Sequence, residues 1–222
     1  MKFWIPNIVT SLNLVFGLLS ILATFKGELF WAAIFVVVAM IADGLDGRVA
    51  RYFNATSELG KELDSLCDLV SFGVAPAILA YVFMLQDFSY LGYAAAIFFA
   101  ACGAFRLARF NVNTSVVKGF FMGLPIPAGG CVVATFIMLD IRLPGILFPM
   151  LIIFVGYLMV STIHYPDFKG HGENLLLIPK IVVVVVAVYI LVNRLDAILF
   201  VPFIAYTIFG ILNTLARKFE TK

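Results

Sequence analysis

Residues 43–51 read Asp43-Gly44-Leu45-Asp46-Gly47-Arg48-Val49-Ala50-Arg51, and after eight further residues the chain continues Gly60-Lys61-Glu62-Leu63-Asp64-Ser65-Leu66-Cys67-Asp68. Apolar runs flank both halves of this stretch, 29–42 before it and 69–85 after it. The two halves are therefore the facing ends of consecutive apolar helices. An aspartate near the middle of a lipid-spanning helix costs about 2.5–3.5 kcal/mol on insertion scales, so four of them beside such helices require a reason. Their spacing supplies one. Asp43 and Asp46 are three apart and Asp64 and Asp68 four apart, so each pair projects from one helical face. A short loop lets the two faces meet.

Composition extends the same reading outward. Of 222 residues, 63% are hydrophobic and 13% charged, with a mean hydropathy of +1.08. Soluble domains are about half apolar and a quarter charged, so the chain reads as an integral membrane protein. The balance of 15 Lys+Arg against 13 Asp+Glu gives a net charge of +2 and no signal for a nucleic-acid partner. A span needs about 20 apolar residues, and eight segments qualify: 8–25, 29–51, 63–85, 90–110, 123–139, 145–164, 175–192 and 197–215. The expected fold is an all-α polytopic bundle of about eight transmembrane helices forming a single membrane domain, 1–222. Its loops are short except for 111–122 and 165–174. Within it, 1–110 forms the catalytic core and 111–222 the acceptor side. Asn7, Thr10, Asn13 and Gly17 interrupt the first apolar segment, which argues against a cleavable signal peptide.

Loop charge sets the orientation. With both termini on one side, that side carries Lys2, Arg48, Arg51, Lys61, Arg106, Arg109, Lys118, Lys169, Lys180, Arg217, Lys218 and Lys222, and the other only Lys26, Arg142 and Arg194. This asymmetry puts both termini in the cytoplasm, and with them the carboxylates. Cys67, Cys102 and Cys131 lie in apolar stretches without ligand spacing and read as packing residues.

Four converging carboxylates repel unless cations lie between them. An all-oxygen set selects a hard ion, Mg²⁺, Mn²⁺ or Ca²⁺, and four carboxylates suffice to bridge two such ions. Gly47 and Arg51 continue the face of Asp43 at four-residue steps. The glycine lets a ligand lie against the backbone, and the arginine offers a planar fork to a phosphate. Together these residues describe a site for a diphosphate ester. A cation transporter would instead scatter polar residues at mid-depth over several helices, often in inverted repeats; here they gather at one end beside an arginine.

The stretch fits D-x-x-D-G-x-x-A-R-x(8)-G-x-x-x-D-x-x-x-D at every defined position and resembles the signature of the CDP-alcohol phosphotransferase family. The pattern P-N-x-x-T-x-x-N-x-x-x-G from Pro6 to Gly17 resembles the same family. The resemblance implies that Asp43, Asp46, Asp64 and Asp68 hold two divalent ions, Mg²⁺ or Mn²⁺. It further implies that Gly47, Arg51 and Ser57 contact the CDP moiety with help from Asn7, Thr10 or Asn13, and that Asp68 is the base that deprotonates an acceptor alcohol. Homodimerisation is implied by the family as well.

The acceptor is not written in that signature. Segment four ends Arg106-Leu107-Ala108-Arg109-Phe110-Asn111, placing two arginines three apart at the cytoplasmic end. They read either as interfacial anchors or as ligands of an anionic acceptor. The strings R-L-A-R-F-N, F-M-G-L-P-I-P-A-G-G (Phe121 to Gly130) and M-V-S-T-I-H-Y-P-D-F-K (Met159 to Lys169) resemble the phosphatidylserine synthase branch. That likeness implies CDP-diacylglycerol and L-serine as substrates, Arg106, Arg109 and Asn111 as carboxylate binders, and a place in the plasma membrane. Glycerol 3-phosphate or an inositol phosphate as acceptor, and an archaeal ether-lipid donor, are the alternatives within the same chemistry. The last two segments, 175–192 and 197–215, offer no candidate for chemistry and are expected to serve packing or dimer contacts.

Overall fold

Polar residues face inward and apolar ones outward along the first helix, the reverse of a water-soluble protein. In a computed structural model, which describes residues 4–52, 57–113, 120–166 and 177–220, helix α1 spans Trp4–Phe25. Its Thr10, Asn13, Gly17, Ser20 and Thr24 are buried at steps of three and four, while Ile8, Leu12, Val15, Leu19 and Leu22 are exposed. Such a face is stable where the surroundings are lipid, since apolar side chains then gain nothing by turning inward and polar ones must find partners inside.

The remaining helices are α2 (Leu29–Tyr52), α3 (Glu58–Asp68), α4 (Ala75–Phe83), α5 (Ser89–Asn113), α6 (Ile126–Met138), α7 (Leu147–Val160), α8 (Leu177–Asn193) and α9 (Val201–Glu220). A π-helical turn, Leu69–Val74, joins α3 to α4, so that the two form one continuous rod. Helices thus lie in the apolar segments of the sequence. Two helical stretches, Glu58–Phe83 and Leu85–Val112, have both the length and the hydropathy to cross a membrane, and shorter apolar helices surround them. The chain is an all-α protein of membrane type.

Helix α1 packs along α2 and against α3, α2 against α6, α5 against α7, and α8 against α9. Phe72, Phe99, Phe148, Leu79 and Met159 fill the centre. Close approach depends on small residues. A Cβ on Gly17 would strike Ser71, so the glycine lets α1 lie directly on the π turn. The π turn itself has a local cause. Pro76 has no N–H to give, and the wider turn ahead of it closes through Ala75 N–H to the Val70 carbonyl.

Two boundaries differ from the expected spans. Helices α6 and α7 are shorter than 123–139 and 145–164, because Phe120–Met122 (β1) and His164–Pro166 (β2) pair as an antiparallel ladder with Phe121 opposite Tyr165. Gly123, at φ +80, turns the chain out of β1, and Pro125 precedes the start of α6. The ladder lies at the end of the bundle to which α5 delivers Arg106 and Arg109.

Candidate active site

The helix ends deliver three carboxylates to one place. Oxygens of Asp43 on α2 and of Asp64 and Asp68 on α3 lie within 4.8 Å of one another. Asp68 is buried, and Asp43 and Asp64 are half-buried. Asn13 Nδ2 donates to Asp68 Oδ1 at 2.9 Å, and Ser71 Oγ donates to the Asn13 carbonyl at 2.9 Å. The first helix therefore orients the aspartate that ends α3, and the π turn holds the first helix. Three carboxylates this close, one of them buried, are stable only with compensating positive charge or protons between them. The donor set is all oxygen, so the residues fit a hard divalent cation.

Other expected ligands find different surroundings. The Ser57 hydroxyl caps α3 and accepts the Gly60 N–H at 3.0 Å, which gives it a structural task at the start of the carboxylate helix. Thr10 is buried on the inward face of α1 one turn from Asn13, and Gly47 is half-buried on α2. The side chains of Asn7, Asp46 and Arg51 lie outside the described residues.

The end of α5 forms the second wall. Arg106 is 7% exposed, stands 5.3 Å over the Phe110 ring, and lies within electrostatic reach of Asp68, Tyr206, Arg109 and Asp43. Among the described residues its guanidinium makes neither a hydrogen bond nor an ion pair. A guanidinium with donors unused among the described residues, beside a carboxylate cluster, is able to take an incoming anion. Arg109, one turn on, is already engaged. Its NH1 donates to the Val160 carbonyl at 2.9 Å, and its NH2 to those of Met122 at 2.9 Å, Ser161 at 3.2 Å and Met159 at 3.4 Å. It ties the end of α7 and strand β1 to α5. Asn111 Nδ2 donates to Ser65 Oγ at 2.9 Å and Lys61 Nζ to the Asn111 carbonyl at 3.5 Å, so α5 is also fastened to the carboxylate helix.

A family model described as CDP-alcohol phosphatidyltransferase matches residues 3–164. The chain belongs to the CDP-alcohol phosphatidyltransferase family. A CDP-diacylglycerol–serine O-phosphatidyltransferase of Helicobacter pylori (strain ATCC 700392 / 26695) is 39% identical over 217 residues, 95% of this chain and 90% of the relative. Proteins of the same description from Bacillus subtilis (strain 168) and Methanocaldococcus jannaschii are 40% and 43% identical. The former alignment covers 78% of this chain and 96% of the relative, the latter 75% of each. Asp43 on α2 and Asp64 and Asp68 on α3 belong to the two halves of the family signature.

The family match ends where β2 begins, and the chain beyond it returns to pack on that strand. Helix α9 lays Tyr206, Gly210 and Thr214 against β2. The Tyr206 hydroxyl donates to the Pro166 carbonyl at 3.3 Å, its ring lies 5.4 Å from that of Tyr165, and Thr214 Oγ1 accepts the His164 N–H at 3.0 Å. The last two segments were expected to serve packing or dimer contacts, and that reading did not single out Tyr206, which fastens α9 to β2. Lys61, Ser65 and Ser71 were passed over as well. The available signal was the polar stripe of α9, whose Tyr206, Asn213, Thr214 and Arg217 recur at helical spacing in an otherwise apolar segment.

Proposed function

We propose that this chain transfers the phosphatidyl group of CDP-diacylglycerol to the hydroxyl of L-serine, giving phosphatidylserine and CMP. The observation that carries the reading is Arg106, a buried guanidinium with no hydrogen bond or ion pair among the described residues and within electrostatic reach of Asp68: it is a seat for a carboxylate beside a candidate base. The relatives described as serine O-phosphatidyltransferases point to the same acceptor.

Asp43, Asp46, Asp64 and Asp68 would hold two divalent ions, Mg²⁺ or Mn²⁺; when bound, such ions neutralise the diphosphate and the charge that develops on the departing CMP. Gly47 leaves the α2 backbone bare for the donor, with Arg51, Ser57, Asn7 and Thr10 at the CDP end. Arg106 takes the serine carboxylate and directs the hydroxyl toward Asp68, whose orientation Asn13 sets. Asp68 accepts the hydroxyl proton as the serine oxygen attacks the phosphorus on the lipid side. The bond from phosphorus to the CMP oxygen breaks, and the charge departs with CMP. Arg109 and Asn111 shape the acceptor wall, Arg109 through the four carbonyls it holds. The proposal includes eight membrane crossings in one domain, both termini and the site on the cytoplasmic side of the plasma membrane, and a homodimer.

The test is CMP release by detergent-purified protein given CDP-diacylglycerol with Mg²⁺ or Mn²⁺, comparing L-serine, glycerol 3-phosphate and inositol 1-phosphate. An ether-lipid donor is run alongside, with Asp68→Asn as control. Release with serine alone, lost in the control and on chelation, is the expected result. Release with another acceptor only would sink serine and keep the family chemistry.

A further inference from the structure

The two arginines that end α5 are held in opposite ways. Arg109 spends its N–H donors on the carbonyls of Met122, Met159, Val160 and Ser161. Arg106 is held by a ring. Its Cζ stands 5.3 Å from the centroid of Phe110, one turn on, and among the described residues it makes neither a hydrogen bond nor an ion pair. The face of an aromatic ring attracts a guanidinium through its quadrupole and takes no N–H in exchange. The group is thus fixed in place while its donors stay available to a ligand. Recognition gains from this. A planar fork meets a carboxylate with two parallel bonds only when its plane is set, and setting it in advance spares the ordering of a long side chain on binding.

The ring has its own support. Phe110 is 41% exposed, so α5 alone does not fix it. Phe121 of β1 lies against it, with ring centroids 6.1 Å apart and an interplanar angle of 49°, a separation at which tilted aromatic pairs attract. Phe121 stands opposite Tyr165 in the ladder, and Tyr165 is fully buried. Arg109 closes the arrangement, because its NH2 holds the carbonyl of Met122, the residue after Phe121. One arginine fixes the strand, the strand carries the second ring, and that ring backs the first. Packing alone asks only for apolar bulk at 110 and 121, whereas a platform for a cation asks for a ring.

We infer that Phe110, backed by Phe121, is a positioning residue for the acceptor: its ring holds the Arg106 guanidinium ready for the carboxylate of the amino-acid substrate, and it acts only through that arginine. This rests on the proposed serine reaction and adds to it the means by which the carboxylate seat is shaped before serine arrives. It also gives the short β1–β2 ladder a task at the site, as the carrier of the second ring.

The experiment measures serine KM, kcat and the KM for CDP-diacylglycerol in the full chain and in Phe110→Leu, Phe110→Tyr, Phe121→Leu, Arg106→Ala and the double variant Arg106→Ala/Phe110→Leu. Phe110→Leu is expected to raise serine KM about fivefold, with kcat and the donor KM moving less than about twofold. Phe110→Tyr keeps the ring and should restore the serine KM. Phe121→Leu should raise it about twofold, by loosening the ring behind the seat. In the Arg106→Ala background the change at 110 should have no further effect, since a residue that acts through the arginine has nothing left to act on. Phe110→Met, which keeps apolar bulk without a ring, repeats the measurement should the leucine variant fold poorly. An unchanged serine KM in the ringless variants, a tyrosine variant as impaired as the leucine one, or a full effect of Phe110→Leu in the absence of Arg106 would each overturn the inference. Failure of the underlying reading looks different: Arg106→Ala by itself would then leave serine KM untouched.

Discussion

The carboxylate seam between α2 and α3 and the seam between β2 and α9 are built by the same device, a stripe of residues at steps of three and four on an apolar helix. They differ in what the stripe carries. The first bears formal charge, which a membrane helix tolerates only for function, and so it stands out against its surroundings. The second bears a phenol, an amide and a hydroxyl, which a membrane helix also uses to hold its neighbours. Charge marks a site by itself; neutral polarity does so only when a partner is seen to be missing. Arg106 and Arg109 repeat the lesson at one turn's distance. Each is a guanidinium at the end of α5, yet among the described residues one is buried without a hydrogen bond and the other holds four carbonyls.

The sharpest way to break this contrast is at the charged seam. Asp68→Asn should reduce CMP release by about 10³-fold or more, since it removes base and ligand together. Its melting temperature in detergent should be no lower than that of the unaltered protein, because relieving repulsion among three close carboxylates favours the fold. An Asp68→Asn protein retaining a tenth of the activity would remove Asp68 from the chemistry.

The two arginines come next and should separate cleanly. Arg106→Ala should raise serine KM about 10–100-fold with little loss of stability, its charged hydrogen bonds to the substrate being the main loss. Arg109→Ala should lower the melting temperature by several degrees, as four carbonyls lose their donor. Arg109→Lys should restore little of it, because an ammonium cannot reproduce the planar fork. Equal behaviour of the two alanine variants in both measurements would erase the distinction.

A smaller effect is expected at the neutral seam. Gly210→Ala should destabilise by about 1–3 kcal/mol through overpacking against Tyr165, read as a lower melting temperature with donor KM unchanged. The smallest lies far from both seams. Arg194 and Asp196 form an exposed pair at 2.6 Å between α8 and α9, and the Arg194 hydrogen bond holds the Asp196 carboxyl below its usual range. A lowered carboxylate contributes stability above its unfolded value of about 3.9 and loses it as pH falls through the lower folded value. Exposure screens the pair, so Asp196→Asn should move the melting temperature at pH 7 by no more than about 1 °C.

Much of this protein was legible before any coordinates. Apolar length gave the membrane class and the helical segments, because lipid leaves a chain few other ways to satisfy its backbone. Four aspartates at helical spacing called for a cation, because carboxylates cannot share a face in an apolar helix without one, and the oxygens of Asp43, Asp64 and Asp68 do converge. Tertiary structure alone decided the rest. That Asn13 steers Asp68, and that Arg109 is a bracket while Arg106 makes no hydrogen bond among the described residues, depend on which helix faces meet. A residue's type and spacing state what it is able to bond. Which of those bonds are already made inside the bundle, and which are left for a substrate, is a property of the packing.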